Sequence, residues 1–326
     1  MKAMVYRSYG TTNVLHLEER DLPSVKADEV LVRIQAVSVN SWDWDLLRGK
    51  PFLSRLEGLF KPKYSILGAD IAGTVAAVGR DVTGLSVGDE VFGDISSCGW
   101  GGLAEYASVR AEALSLKPAS MSFEEAAAIP QAGVLALQGL RDRGQIQHAK
   151  TVLINGAGGG VGTFALQMAK SYGAEVTCVD STKKLEFLAS LGADHVIDYA
   201  KEDFTRNGQR HDLILDVVGN RSVSDYKRSL NPNGTYVMIG GSMSLILKLL
   251  LLGRSIKKKE NKQMTILIHK PNRKDQEVLK ELFLAGKLAP VIDKRYPLSQ
   301  AEEAIRYLGE GHAMGKVVVC VGEGGD

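Results

Sequence analysis

The sequence predicts an α/β protein of two domains: a β-rich, barrel-like first third, then a doubly wound parallel sheet. Three observations carry this reading. The chain has 326 residues, about two domains at roughly 100–200 residues each. Its pattern changes near Ser122, from strands punctuated by glycine to near-continuous apolar strands alternating with helices. Strands of that kind belong to parallel sheets covered on both faces. A glycine-rich loop over residues 156–162 sits between one of those strands and a helix.

In chain order, residues 29–37 and 70–78 have strand composition, with Gly73 as a bulge or close approach. Residues 85–93 read as a turn feeding a strand, and frequent glycines mark the corners of a compact barrel. Ser122 caps a helix with Glu124 and Glu125 in its first turn. A strand follows at 151–155, a helix at 163–172, a second strand at 175–180 and a second helix at 183–191. Further strands are expected at 195–198, 213–217, 235–239 and 264–268. After Pro271 come a helix, a short strand around Val291, a helix at 299–308 and a last strand at 316–321.

Composition narrows the function. Lys plus Arg number 40 and Asp plus Glu 38, a net charge of +2, too balanced for nucleic acid as the main partner. The opening Met1-Lys2-Ala3-Met4-Val5-Tyr6 lacks the apolar region of a signal peptide. No run reaches the ~18 apolar residues of a membrane span, so a cytoplasmic location is expected. Cys98, Cys178 and Cys320 form no CxxC pair, which speaks against a disulfide scaffold and a cysteine zinc cluster. Glycine is abundant, at 35 residues. One segment resists a plain reading: the leucine-rich stretch 245–252 is followed by Arg254, Lys257, Lys258, Lys259 and Lys262. It reads as a buried or subunit-contact helix beside a solvated basic loop, or as a peripheral membrane contact.

The glycine loop carries the chemistry. Ala157-Gly158-Gly159-Gly160-Val161-Gly162 gives A-x-G-x-x-G, the dinucleotide fingerprint with alanine in first place. The first small residue turns the chain, Gly159 lets the backbone approach a pyrophosphate, and Gly162 lets the helix pack on the strand. The helix behind it offers free N–H groups and a positive dipole end. Asp180 ends the next strand, 18 residues after Gly162, where it would bond the ribose hydroxyls and favour NAD. Ser181-Thr182-Lys183-Lys184 follow at once, with hydroxyls and ammonium groups suited to a 2′-phosphate, which favours NADP. The two signals oppose each other.

Further marks are Val37-Ser38-Val39-Asn40-Ser41-Trp42-Asp43, Leu67-Gly68-Ala69-Asp70-Ile71-Ala72-Gly73-Thr74-Val75 and Val87-Gly88-Asp89-Glu90-Val91. Gly102-Leu103-Ala104-Glu105-Tyr106 and Gly315-Lys316-Val317-Val318 join them. With these the chain resembles, nearly end to end, the medium-chain dehydrogenase/reductase superfamily in its zinc-free quinone oxidoreductase-like branch. The resemblance implies a GroES-like β-barrel domain at 1–122, completed by 270–326, and a Rossmann NAD(P)-binding domain at 123–269. Zinc-dependent relatives carry a cysteine where this chain has Asn40, and Gly-His-Glu where it has Gly68-Ala69-Asp70. The four-cysteine zinc lobe is missing, and Asp70 alone makes no tetrahedral site, so no metal is expected. The resemblance places Asn40 beside the nicotinamide and the substrate carbonyl, and residues 158–162 on the pyrophosphate. It puts Ser181 and Lys184 on a 2′-phosphate, Tyr199 near the adenosine phosphate, and Val218 and Gly240 along the nicotinamide half. Leu135 stands where many relatives have threonine and offers no hydroxyl to the carboxamide.

Without zinc as Lewis acid, reduction of an electrophilic acceptor is expected ahead of alcohol oxidation. The cofactor carries the hydride, and positioning lowers the barrier. Asn40 would stabilise developing enolate charge. The proton comes from water or from Tyr64. Trp42 and Trp44 flank Asp43 and form either an aromatic wall for a flat acceptor or core packing. Asp43 matches a family position, or caps the helix toward Leu46 and Leu47. The expected enzyme is a homodimeric, NADPH-dependent reductase of quinones or α,β-unsaturated carbonyls, with NAD as the second cofactor choice. The alternatives are an NAD(P)-dependent alcohol dehydrogenase, and a non-enzymatic cofactor-binding protein that docks through residues 245–262.

Overall fold

A computed structural model of the chain describes residues 1–56 and 58–322. In chain order its strands are β1 (Lys2–Val5), β2 (His16–Glu19), β3 (Glu29–Val39), β4 (Asp70–Val78), β5 (Glu90–Asp94), β6 (Tyr106–Arg110), β7 (Ser115–Leu116), β8 (Thr151–Asn155), β9 (Glu175–Asp180), β10 (His195–Asp198), β11 (His211–Asp216), β12 (Leu230–Met238), β13 (Gln263–Ile266), β14 (Ile292–Pro297) and β15 (Lys316–Cys320). The α-helices are α1 (Ser41–Arg48), α2 (Phe123–Ala128), α3 (Pro130–Leu137), α4 (Gly160–Ser171), α5 (Thr182–Ser190), α6 (Val223–Arg228), α7 (Met243–Glu260), α8 (Arg273–Leu284) and α9 (Ala301–Gly309). The chain divides into two units. One is Met1–Ala132 with Pro271–Leu284 and Pro290–Asp326; the other is Gly133–Lys270 with Ala285–Ala289.

The first unit is built around β3. Its residues Val30, Val32 and Ile34 are buried on the alternate positions that face a core, where they pack with Leu67, Ile71, Val317 and Val319. One edge of β3 pairs antiparallel with β4. The other edge is shared: β6 takes residues 29–33 and β15 takes residues 36–39. This register brings three strand ends together. Asn40 follows the end of β3, Asp70 opens β4 opposite Ser38, and Lys316 opens β15 one residue before Val317, which faces Val39. Asp94, at the end of β5, lies opposite Asp70.

The second unit holds a six-stranded sheet in the order β10-β9-β8-β11-β12-β13, parallel throughout. Its order reverses between β8 and β11, and the carboxyl ends of the strands at such a point form the ligand crevice of doubly wound sheets. Leu153, Val179, Ile214, Tyr226, Tyr236 and Met238 are among its core.

Two of the differences from the sequence reading bear on function. Helix α4 begins at Gly160 rather than 163, because the last glycines of the loop already form its first turn. Helix α7 is a single 18-residue helix through the leucines and the lysines, where a basic loop was expected. Leucine, lysine and arginine are all good helix formers, and the Ser242 hydroxyl accepts the Leu245 N–H to cap its start. Only Leu245 and Leu249 of the leucine run are buried. Among the described residues no helix is long and apolar enough to cross a membrane.

Candidate functional site

The three strand ends of the first unit enclose a polar cluster. Asn40 is the N-cap of α1 and is 6% exposed, against 0% for Asp70 and 2% for Lys316. Asn40 Nδ2 donates to Asp70 Oδ2 at 3.0 Å, and the Lys316 ammonium donates to Asn40 Oδ1. An ammonium only donates, so the amide must turn its oxygen to Lys316 and its nitrogen away. Lys316 Nζ also lies 3.8 Å from Asp70 Oδ2. The first N–H groups of α3 complete the set: Gln131 N–H donates to both Asp70 oxygens, at 3.1 and 3.2 Å.

Three buried carboxyls, Asp43, Asp70 and Asp94, share this one buried ammonium. Burial pushes Asp70 above the ordinary carboxylate range, against the pull of Lys316, and Asp94 pushes the same way. Burial likewise pulls Lys316 below the ordinary lysine value, against Asp70, Asp43 and Asp94. Asp43 is pushed up to about 6 by burial, despite accepting N–H bonds from Asn40 and Gly68. The cluster therefore presents a carboxamide of fixed orientation beside buried carboxyls and a buried ammonium.

In the second unit the glycine loop leaves β8 and opens α4. No side chain caps α4, which leaves its leading N–H groups for an anion. A Cβ built on Gly162 would meet the Ala157 backbone at 2.4–2.5 Å, whereas on Gly159 the nearest atom is 3.7 Å away. Gly162 is thus the packing glycine, and Gly159 leaves backbone open to a pyrophosphate. These residues fit a nicotinamide dinucleotide. Asp180 closes the loop from the side: Gly158 N–H and Ser181 N–H donate to its two oxygens, each at 2.8 Å. Lys184 Nζ is 3.9 Å from Asp180 Oδ1, and the Tyr199 N–H donates to the Asp180 carbonyl at 3.2 Å. Tyr199 itself is half exposed.

At the carboxyl end of β11, buried Asp216 accepts from Asn155 Nδ2, the Val218 and Gly219 N–H groups and the Tyr236 hydroxyl, at 2.8–3.1 Å. It ties the ends of β8, β11 and β12 into one floor. Beyond it lies a cavity of about 460 Å³ lined by Val218, Arg221, Ser242, Ser244, Leu245 and Lys248, among others.

Known proteins resemble this chain along nearly its whole length. Residues 26–119 match the family model of the alcohol dehydrogenase GroES-like domain, and residues 191–319 that of the zinc-binding dehydrogenase. The chain is 35% identical to a 2-methylene-furan-3-one reductase of Solanum lycopersicum, over 98% of this chain and 79% of that one. The chain belongs to the medium-chain dehydrogenase/reductase superfamily, in its quinone oxidoreductase-like branch. Within this superfamily it is also 33% identical to the chloroplastic NADPH-dependent alkenal/one oxidoreductase of Arabidopsis thaliana, with the same coverage. Among solved structures it resembles the quinone oxidoreductase from Coxiella burnetii, at a TM-score of 0.86 and 30% identity over 99% of both chains. The second family model's name mentions zinc, but the donor set here does not suit that ion. Among the described residues no group of three or more His, Cys, Asp or Glu could hold a metal. Asp70 is committed to Asn40, Gln131 and Lys316.

The remaining expected site residues are dispersed. Asp43 stands at N3 of α1, not at the N-cap; its carboxylate returns a bond to the Asn40 N–H at 2.7 Å. Trp44 packs against the core of the first unit, while Trp42 is exposed and meets Trp100 edge-on at 5.9 Å. Two residues apart on one helix, they face different ways and make no common wall. Tyr64 is half buried, under the Lys63 ammonium at 5.0 Å. Val161 is half buried in the first turn of α4, and Gly240 lies against Val217 beside Val218. Sequence reasoning overlooked Lys316 and Asp216. Their only signal was a charged residue flanking a short apolar run, Val317–Val319 or Leu213–Leu215.

Proposed function

We propose that this chain is a zinc-independent, NADPH-dependent reductase of quinones or α,β-unsaturated carbonyls. The observation that carries the reading is the loop pair 156–162 and 180–184: open backbone at Gly159, and an aspartate whose oxygens already accept two loop N–H groups. Beside Asp180, the Lys184 ammonium with the Ser181 and Tyr199 hydroxyls favours a 2′-phosphate over a free ribose hydroxyl. The names of the relatives support the acceptor class. Bound NADPH supplies the hydride.

The rest falls to the chain's own residues. The first N–H groups of α4 hold the pyrophosphate. Asn40 Nδ2 has two hydrogens: Asp70 takes one, and among the described residues the other reaches only the Ser38 carbonyl, at 3.5 Å. That second hydrogen is the proposed donor to the acceptor's oxygen. We place the enzyme in a reducing compartment, the cytosol, which suits three free cysteines. The outer edge of β13 is proposed as a dimer edge, to be checked by sedimentation.

Following NADPH and NADH oxidation against quinones, enones and alcohols tests the reading. Turnover of quinones or enones is expected, and Lys184→Ala should raise KM for NADPH by about tenfold while leaving NADH little changed. Alcohol turnover with stoichiometric zinc in the purified protein would overturn it. Equal loss for both cofactors would hand cofactor choice to Asp180.

A further inference from the structure

Helix α7 carries two unlike stripes. On one, Leu245 and Leu249 are buried at 3% each and pack, with Ile246 and Ile256, into the core of the second unit. On the other, Leu247, Leu250 and Leu251 are 56%, 66% and 78% exposed, with Leu252 beside them at 46%. Residues 247, 250 and 251 are spaced i, i+3, i+4, so they form one continuous apolar knuckle. The next turns carry Arg254, Lys257, Lys258 and Lys259, all exposed. None of these four is in an ion pair among the described residues, and the only acid of α7, Glu260, is paired with Lys227 at 2.7 Å. Ile268, just past the adjacent β13, is 70% exposed.

We propose that α7 docks the protein on an anionic lipid surface, leucines entering the acyl boundary and the basic turns meeting the headgroups. The order of residues argues for this occupant. An exposed leucine knuckle followed by unpaired cations is complementary to a bilayer that is apolar beneath and negative at its face. A second copy of the chain suits it less well, because a two-fold contact through this face would bring two identical cationic clusters together. The helix lies on the surface, since it is too polar to span.

The test is flotation of the full-length protein with phosphatidylcholine vesicles, with and without phosphatidylserine. Wild type should float only with phosphatidylserine vesicles, and less as salt rises. Leu250→Asp/Leu251→Asp and Lys257→Glu/Lys258→Glu should each weaken vesicle binding by on the order of tenfold or more. NADPH binding, the check on folding, should stay unchanged. Val87→Asp, at an exposed apolar residue of the first unit, should float like wild type. The proposal falls if wild type ignores phosphatidylserine vesicles, or if the leucine variant floats as well as wild type. It also falls if Val87→Asp loses binding equally, or if sedimentation shows a dimer that the leucine variant dissociates.

Discussion

At the scale of single residues, the buried cluster turns on Lys316. Its buried ammonium lies among Asp43, Asp70 and Asp94, and it also fixes which way the Asn40 amide points. Removing one partner of a buried ion pair leaves the other charge or proton uncompensated. Lys316→Met should therefore cost on the order of 3 kcal/mol of stability in urea unfolding. Adding Asp70→Leu to that variant should recover part of the loss, and a neutral single substitution would refute the role. Asn40 was legible from sequence because it lies within the stretch Val37–Asp43 that carries the family resemblance. Lys316 was not, because it meets Asn40 from 276 residues away, and nothing local to Gly315-Lys316-Val317-Val318 encodes that pairing.

At the scale of elements, the two glycines of the loop separate binding from folding. Gly159→Ala places its methyl 3.7 Å from the Gly156 carbonyl oxygen, an ordinary contact, so the melting temperature should hold while NADPH affinity falls by on the order of tenfold or more. Gly162→Ala drives a methyl into the Ala157 backbone and should lower both. Equal melting temperatures for the two variants would show that the loop is not packed in this way. Strand β11 contributes a pH response. Burial pulls its first residue, His211, from 6.5 down to about 4, and the Nε2 atom is buried without a partner. Because the folded value lies below the unfolded one, this contribution is full above pH 6.5 and is lost as pH falls through about 4. The loss is about 3 kcal/mol, and His211→Asn should flatten the stability curve over that window. The loop and the strands were readable because their signals are local: a glycine pattern between an apolar run and a helix. Helix α7 was only half readable, since the sequence showed leucines and lysines but not which leucines face the core.

At the scale of the whole molecule, the first unit is discontinuous. Strand β15 supplies both Lys316 and the partner for residues 36–39 of β3. Deletion from Gly315 onward should abolish cooperative unfolding of the first unit. Retained cooperativity, followed by calorimetry, would count against β15 as a structural member. The sequence suggested this closure only through family resemblance, because a strand pairing across the length of the chain leaves no local trace.

The same scale gives the cysteines a meaning. The proposed acceptors are electrophiles that alkylate thiolates, so the enzyme works in the presence of agents able to modify it. Burial pushes the Cys178 thiol up to about 12, and burial with Glu124 alongside pushes Cys320 up to about 11. At neutral pH their thiolate fractions are on the order of one part in 10⁵ and 10⁴. The fold thus shields these two sulfurs from its own substrates. Mass spectrometry after prolonged turnover with an enone should find both unmodified, so that the catalyst outlasts the reactive compounds it consumes.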